Sequence, residues 1–408
     1  MPHDRLLDLL NAKVDTLTTA GTRKGLERVT RAVVPPADGK GPRFLLEGHG
    51  DRPFLRMNAN SYLGLSFTAD LIAAEEQAVR AYGTGPGAVR FISGTWTPHV
   101  ALEQRLAAFH GREAAMIFSS AYATVMGLLP QLITPQTAVI SDALNHNCII
   151  NAIRLSEPGE KRIYAHLAMD ELERHLREAS GACRRAIVVT DGIFSMRGDH
   201  APLDRILALA KKYDRDYPEN VLVVVDDSHG VGAFGKTGRG TEEVTASGPC
   251  DLLVATLGKA FGVNGGYVAG NRTFVDYLRE TAPFYIYSNP ITPGEAAAAV
   301  KAVDIVDSAR GHDMLAHLRA MTRRFEQGLV DLGWETIPGE HPVVPLMVRN
   351  TPKTTQLVAH LFESGVLATG LGFPVVPKGD EEIRFQISAD HTPADIDEAL
   401  AAVRAFAG

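Results

Sequence analysis

One lysine, Lys259, sits in the run Ala255-Thr256-Leu257-Gly258-Lys259-Ala260-Phe261-Gly262, thirty residues beyond His229. Upstream, the apolar run Val221–Val225 delivers Asp226, Asp227, Ser228 and His229. Small residues around a lysine let a bulky group and a second backbone approach it closely. Apolar neighbours at a strand end desolvate the ammonium, which lowers its pKa and frees the amine for imine chemistry. A carboxylate at the end of a rigid strand can be aimed at a ring nitrogen and keep it protonated. Only one of Asp226 and Asp227 can take that role, because consecutive strand residues point to opposite faces. A lysine, a ring-nitrogen acid and donors for a phosphate are what pyridoxal 5'-phosphate (PLP) requires of a protein. Taken singly, each signal is weak: most lysines are solvated, and most Asp-Asp pairs sit on a surface or cap a helix.

Further candidates follow other apolar runs. Thr256, three residues before Lys259, can offer a hydroxyl to phosphate, although a plain strand threonine would look the same. His229 can reach a phenolic oxygen on the cofactor, and His146, after the run Ala138–Ile140, can stack on its ring. A lone histidine is more often structural. Ser119-Ser120-Ala121-Tyr122-Ala123 reads as a turn into a helix over Thr124–Leu129, whose first amides suit a phosphate or simply an ordinary cap.

These residues need a scaffold that places them on one edge. From residue 55 to about 290, apolar runs (Ala114–Phe118, Ala138–Ile140, Ala186–Val189, Val221–Val225, Leu252–Thr256) alternate with helical stretches (Val100–His110, Asp170–Ala179, Leu203–Tyr213). Such alternation predicts an α/β fold with a mostly parallel sheet flanked by helices. Ligands of such sheets bind beyond the carboxyl ends of the strands. Residues 1–55 read as an amphipathic helix, docked on the body or on a partner subunit, and a linker through Val33–Pro42. Residues 56–290 read as the large domain, and 291–408 as a smaller α+β domain. Its expected elements are helices Thr292–Ala309, Met314–Leu332, Gln356–Ser364 and Ala394–Phe406, and strands Val343–Val348 and Glu382–Ser388.

The chain has 408 residues, 41 basic and 48 acidic, for a net charge of −7. That balance offers no general attraction to nucleic acid or to an anionic membrane. Three scattered cysteines, Cys148, Cys183 and Cys250, suggest neither a disulfide framework nor a zinc cluster, and a cytoplasmic location is expected. Gly230–Thr237 matches the phosphate-loop spacing and contains a dinucleotide-type glycine pattern. Both patterns need glycines that turn directly from strand into helix. Asp226–His229 intervene here, and Gly238 and Gly240 oppose a following helix. A flexible turn leaving the sheet is the expectation.

From Asn58 to the C-terminus the chain resembles the α-oxoamine synthases, PLP enzymes of fold type I that join an amino acid to an acyl-CoA thioester. The resemblance is carried by NANSYLGL, GAVRFISGT, SDALNHNCII, TDGIFSM, VDDSHGVGAFGKTGRG, TLGKAFGVNGGY, Tyr287-Ser288-Asn289 and GFPVVPKGDEEIRFQISADHT. It leans towards the glycine C-acetyltransferase (2-amino-3-ketobutyrate CoA ligase) branch. It implies that Lys259 carries the cofactor as a Schiff base and then moves protons, that Asp226 pairs with the pyridine nitrogen, and that His229 bonds the phenolic oxygen. It further implies His146 on the ring, Ser195 near cofactor and substrate, and Thr256 with the Ala121 and Tyr122 amides on the phosphate. Ser288 would reach the partner's phosphate in a homodimer with shared sites, and Asn60 and Arg384 would hold the amino-acid carboxylate. The implied substrates are an amino acid, glycine expected, and an acyl-CoA. The alternative on the same fold is an aminotransferase or lyase. The chain departs from the glycine acetyltransferase pattern in a shorter loop after Lys259, in Arg197 where that branch has an acid, and in Trp96 and Pro98. All three bear on substrate preference.

Overall fold

The computed structural model describes residues 3–406 except Gly21, Lys24, Leu26, Pro374 and Val375. Two positions of the C-terminal GFPVVPKG segment therefore lie outside the described residues.

Segment 1–55 holds more than a helix and a linker. Strands β1 (Thr30–Val34), β2 (Arg43–Leu46) and β3 (Pro53–Arg56) run antiparallel in turn, and β3 pairs in parallel with Val366–Leu367 far along the chain. The predicted amphipathic helix spans Asp4–Thr19 and has no buried residue. Leu6, Leu7, Leu9, Leu10, Val14 and Leu17 are all exposed. Of the two surfaces expected for it, its own chain's body is not one.

The centre is a seven-stranded sheet made of β4 (Ala114–Phe118), β5 (Thr137–Asp142), β6 (Glu160–Tyr164), β7 (Arg185–Asp191), β8 (Val221–Asp226), β9 (Leu252–Thr256) and β10 (Gly266–Gly270). Its order is β4-β10-β9-β8-β7-β5-β6, and only β10 runs antiparallel to its neighbours. Helices cover both faces, so β8 is apolar from Val221 to Val225. Val223 and Val225 pack into one apolar cluster and Val224 into the other. Each such buried valine contributes roughly 1.5–3 kcal/mol of transfer free energy.

The C-terminal part forms a further sheet from β11 (Glu335–Thr336), β12 (Val343–Met347), β14 (Thr369–Leu371) and β15 (Glu382–Gln386), while its strand β13 (Val366–Leu367) joins the β1-β2-β3 sheet. Three helix starts lie upstream of expectation. Ser308 caps the helix Ala309–Asp331, and Asn350 caps Thr351–Glu363, which has Pro352 in its first turn. The helix Thr97–Phe109 likewise begins before Val100, with Pro98 in its first turn. Cap residues and first-turn prolines set these starts, whereas apolar periodicity shows only where packing begins.

Asp227 fastens the carboxyl edge of the sheet. It is fully buried, and its carboxylate accepts the Thr241 amide at 2.6 Å and the Thr241 hydroxyl at 2.9 Å. A Cβ on Gly192, Gly230 or Gly240 would fall within 2.2 Å of that carboxylate. Two loops, the one through Gly192 and the Gly230–Gly240 turn, thus converge on one side chain only because they present glycines there. The Gly230–Gly240 turn is not the flexible exit expected from its glycines. Glu243 accepts the amides of Lys236, Thr237 and Arg239 at 2.8, 3.0 and 3.1 Å. The amides that a phosphate loop would point at its ligand are already bonded to a carboxylate.

Replacing Asp227 with alanine leaves the Thr241 amide and hydroxyl buried without partners. The expected cost is about 2–3 kcal/mol, read as a lowered urea midpoint at unchanged m-value.

Candidate active site

Five strand ends deliver the predicted residues to the same edge. β4 leads into the helix Ala121–Leu132, β5 into His146, β7 into Ser195, β8 into Asp226–His229, and β9 into Lys259. Register holds the acids together, since Asp191 of β7 stands beside Asp226 of β8. Lys259 is half-buried in the turn after β9. Burial lowers its amine to a pKa of about 8, against the opposing pull of Asp226 and Asp191. A neutral amine is therefore accessible near physiological pH.

Asp226 is buried and fixed. Its Oδ1 accepts the amide and hydroxyl of Ser228 at 3.1 and 2.5 Å, and its Oδ2 accepts from the Cys148 thiol at 3.6 Å. His146 caps the helix Asn147–Leu155, and its Nδ1 accepts the Cys148 amide at 3.2 Å. In the neutral ring the proton is then on Nε2. Burial lowers the His146 pKa, which keeps the ring neutral. The His146 amide donates to Asp191 Oδ2 at 3.0 Å, so the histidine is tied at backbone and side chain. His229 is buried, with Nδ1 hydrogen-bonded to the Tyr62 hydroxyl at 2.7 Å. Its carbonyl accepts from His341 Nε2 at 2.9 Å. Burial, with Lys259 nearby, keeps His229 well below its usual range.

On the other side of the site, Arg384 of β15 donates to Asn60 Oδ1 at 3.0 Å. Sequence numbers 324 positions apart thus meet in one clamp. At the opposite end, Ser120 caps the helix Ala121–Leu132, leaving the Ala121 and Tyr122 amides ahead of its first intrahelical bond. A Cβ on Gly266 would sit 2.2 Å from the Ala121 nitrogen, so only glycine lets β10 pass beneath that helix start.

The sequence profile of aminotransferase classes I and II matches residues 52–403. The 8-amino-7-oxononanoate synthase of Symbiobacterium thermophilum is 40% identical over 398 residues, 97% of each chain. The 2-amino-3-ketobutyrate coenzyme A ligase of Escherichia coli is 40% identical over 347 residues, 84% of this chain and 85% of that one. A solved Sphingomonas wittichii serine palmitoyltransferase superposes with a TM-score of 0.88 at 26% identity, covering 99% of this chain and 97% of that one. The chain belongs to the α-oxoamine synthase family. Its fold is the type I fold of PLP-dependent transferases, and its cofactor is PLP. The chain is thus as similar to an 8-amino-7-oxononanoate synthase as to the glycine acetyltransferase type towards which the residues lean.

The residues fit that cofactor. A helix N-terminus with exposed amides suits its phosphate, a buried carboxylate suits its ring nitrogen, and a desolvated amine suits its aldehyde. Asp191 Oδ1 is buried without a hydrogen-bond partner among the described residues, and burial beside the Asp226 carboxylate holds the Asp191 carboxyl well above the usual carboxylate range. Two predicted residues make no side-chain hydrogen bond to the others of the site. The Thr256 hydroxyl donates to the Gly265 carbonyl at 3.1 Å and accepts the Gly258 amide at 3.1 Å, so it braces the Lys259 turn. Ser288 lies beside Tyr287, which is 80% exposed, and its hydroxyl donates to the Asn289 carbonyl at 3.5 Å. Ser195 lines a cleft of 160 Å³ with Arg197, Met347 and Glu382.

Sequence reasoning gave no role to Tyr62, Cys148, Asp191 or His341. The first three lie inside the quoted motifs, which was the available signal; nothing local marks His341. It also passed over the chain Asp142–His166–Asp199–Arg197. His166 bridges Asp142 at 3.0 Å and Asp199 at 3.2 Å, and Arg197 Nε donates to Asp199 at 2.9 Å. This chain ties the Ser195 turn to the end of β5.

Burial alone would push the His166 pKa down, but its two carboxylate hydrogen bonds outweigh that and hold it at about 9. A raised imidazole pKa stabilises the folded state fully below the unfolded value of 6.5, and this stabilisation is lost as pH rises through about 9. Unfolding free energy is expected to fall by about 2–3 kcal/mol across that window. Denaturant titrations of wild type and His166→Asn check it, and the variant is expected to lose most of the slope.

Proposed function

We propose that this protein condenses an amino acid, glycine first among the candidates, with an acyl-CoA to give a 2-amino-3-keto acid or its decarboxylated α-amino ketone, releasing CoA. The observation that carries the reading is the joint placement of a desolvated lysine, a fixed acid and an Asn–Arg clamp at one sheet edge, in a chain of this family. When bound, PLP supplies an electron sink that stabilises negative charge at the amino acid's α-carbon.

The chain's own residues divide the remaining work. Arg384 and Asn60 bind the amino-acid carboxylate, the planar guanidinium matching its two oxygens. Lys259 holds the cofactor through its amine and, once released, takes the α-proton; a pKa of about 8 suits an acceptor at neutral pH. Asp226 keeps a proton on the ring nitrogen. His229 bonds the phenolic oxygen, its ring positioned by Tyr62. His146 covers the ring, and its Nε2–H donates to the acyl oxygen as the thioester is attacked. Ala121 and Tyr122 amides, Thr256 and the partner's copy of Ser288 hold the phosphate, while Ser195 borders the substrate.

The enzyme works as a homodimer in this reading. An outward-facing Ser288 segment supports it, as do Phe91 and Ile92, which are 66% and 68% exposed, and the helix Asp4–Thr19 with its uncovered leucines. Free thiols at Cys148, Cys183 and Cys250 agree with the cytoplasm. Among the described residues, no helix is long and apolar enough to cross a membrane.

Wild type with glycine and a panel of acyl-CoAs is expected to release free thiol. Amine transfer to a keto acid without thiol release would instead favour the aminotransferase reading. Asp226→Asn is expected to lower kcat by roughly a hundredfold or more while still binding cofactor. Light scattering is expected to give the mass of two chains, and full activity from a diluted monomer would contradict the shared site.

A further inference from the structure

The cleft lined by Ser195 contains a group with an unmet need. Glu382 is 3% exposed, and its Oε1 is buried with no hydrogen-bond partner among the described residues. A buried carboxylate oxygen without a donor is costly, and native structures seldom leave one without a reason. Side chains two apart on a strand share a face, about 7 Å from one another. Glu382 therefore stands one step along β15 from Arg384, on the same side. The same cleft is lined by Ser195, Arg197 and Asp380, whose carboxylate already accepts from Arg349, and its walls are apolar at Phe194, Met347 and Val376.

Arg197 does not meet the need. No ion pair joins it to Glu382. Its Nε already donates to Asp199, and its side chain is 36% exposed, so water reaches it. The unanswered demand in the cleft is for a donor to Glu382, not for an acceptor to Arg197.

We infer that Glu382 is a specificity residue that accepts a hydrogen bond from a hydroxyl or ammonium group on the substrate arm entering this cleft. The inference rests on the condensation reading and names the chemistry of one of its substrates. The arm is short and mainly apolar, with its donor near the end. Burial lifts the Glu382 carboxyl to about 7, and a donor would relieve that. Two sources share this chemistry, the acyl group and the amino-acid side chain.

Isosteric pairs separate them. For the acyl source, 3-hydroxypropionyl-CoA is compared with butyryl-CoA, using glycine. For the side-chain source, L-serine is compared with L-2-aminobutyrate, using acetyl-CoA. Both kcat/KM, from thiol release, and Kd, from calorimetry on the PLP-loaded protein, are measured. In one pair the hydroxyl substrate is expected to win by roughly tenfold or more. Glu382→Leu is expected to abolish that ratio, and Glu382→Gln, which keeps an acceptor, to retain part of it. The pair that responds identifies the arm. Equal ratios in wild type and Glu382→Leu would overturn the inference, as would preference for the apolar member in both pairs. A preference for a carboxylate-ended arm such as succinyl-CoA would also overturn it, because Arg197 would then be the determinant. Failure of wild type to release thiol with any pair would count against the condensation reading instead, and the Kd ratios would then decide for or against Glu382.

Discussion

Burial of one amine among carboxylates governs this site. Lys259 would be a strongly basic ammonium in water. At the carboxyl edge of the sheet it loses hydration, and its pKa falls to about 8 even with Asp226 and Asp191 beside it. Desolvation wins over attraction here, but not by far. A lysine with no acids nearby would fall further, and one against exposed acids would stay protonated. The edge needs both effects, and parallel strands supply them, because adjacent β7 and β8 end in register at Asp191 and Asp226.

The rest of the molecule keeps that edge rigid. The Asp227 carboxylate gathers the Gly192 loop and the Gly230–Gly240 turn, so Asp226 is presented on a backbone with little freedom. Cys148 binds both sides of the site, with its amide on His146 and its thiol on Asp226. Tyr62 and His341 do the same for His229. Charges are handled in the same way further out, where the buried pair Arg90–Glu103 joins at 3.1 Å. Fixed dipoles of this kind cost no reorganisation when charge develops, which is where such sites gain most of their effect.

Much of this was legible in the chain. The apolar runs marked the large-sheet strands, with Ala114–Phe118 and Leu252–Thr256 coinciding with the observed bounds, because strands buried on both faces leave an uninterrupted apolar signature. Lys259, Asp226, His146 and His229 followed from the residues after those runs. Pairings between distant segments were not legible. Nothing local says that β3 adds Val366–Leu367, that Asn60 meets Arg384, or that Glu243 occupies the amides of Lys236 and Thr237. A glycine-rich turn reads as flexible until the carboxylate that threads it is known. Asp227 looked like half of a surface pair for the same reason, since its partners are loops whose approach only the fold defines. Glu382 carried no signal in the sequence, because a missing partner is a property of the packed cleft.

The central claim is that Lys259, rather than any other lysine, carries the cofactor. The direct measurement is to load the protein with PLP, reduce with borohydride, digest, and locate the pyridoxyl group by mass spectrometry. The account predicts one label, on the peptide containing Lys259, and none on Lys259→Ala. A label on Lys236 in the glycine turn, or persistent labelling of Lys259→Ala at another lysine, would contradict it.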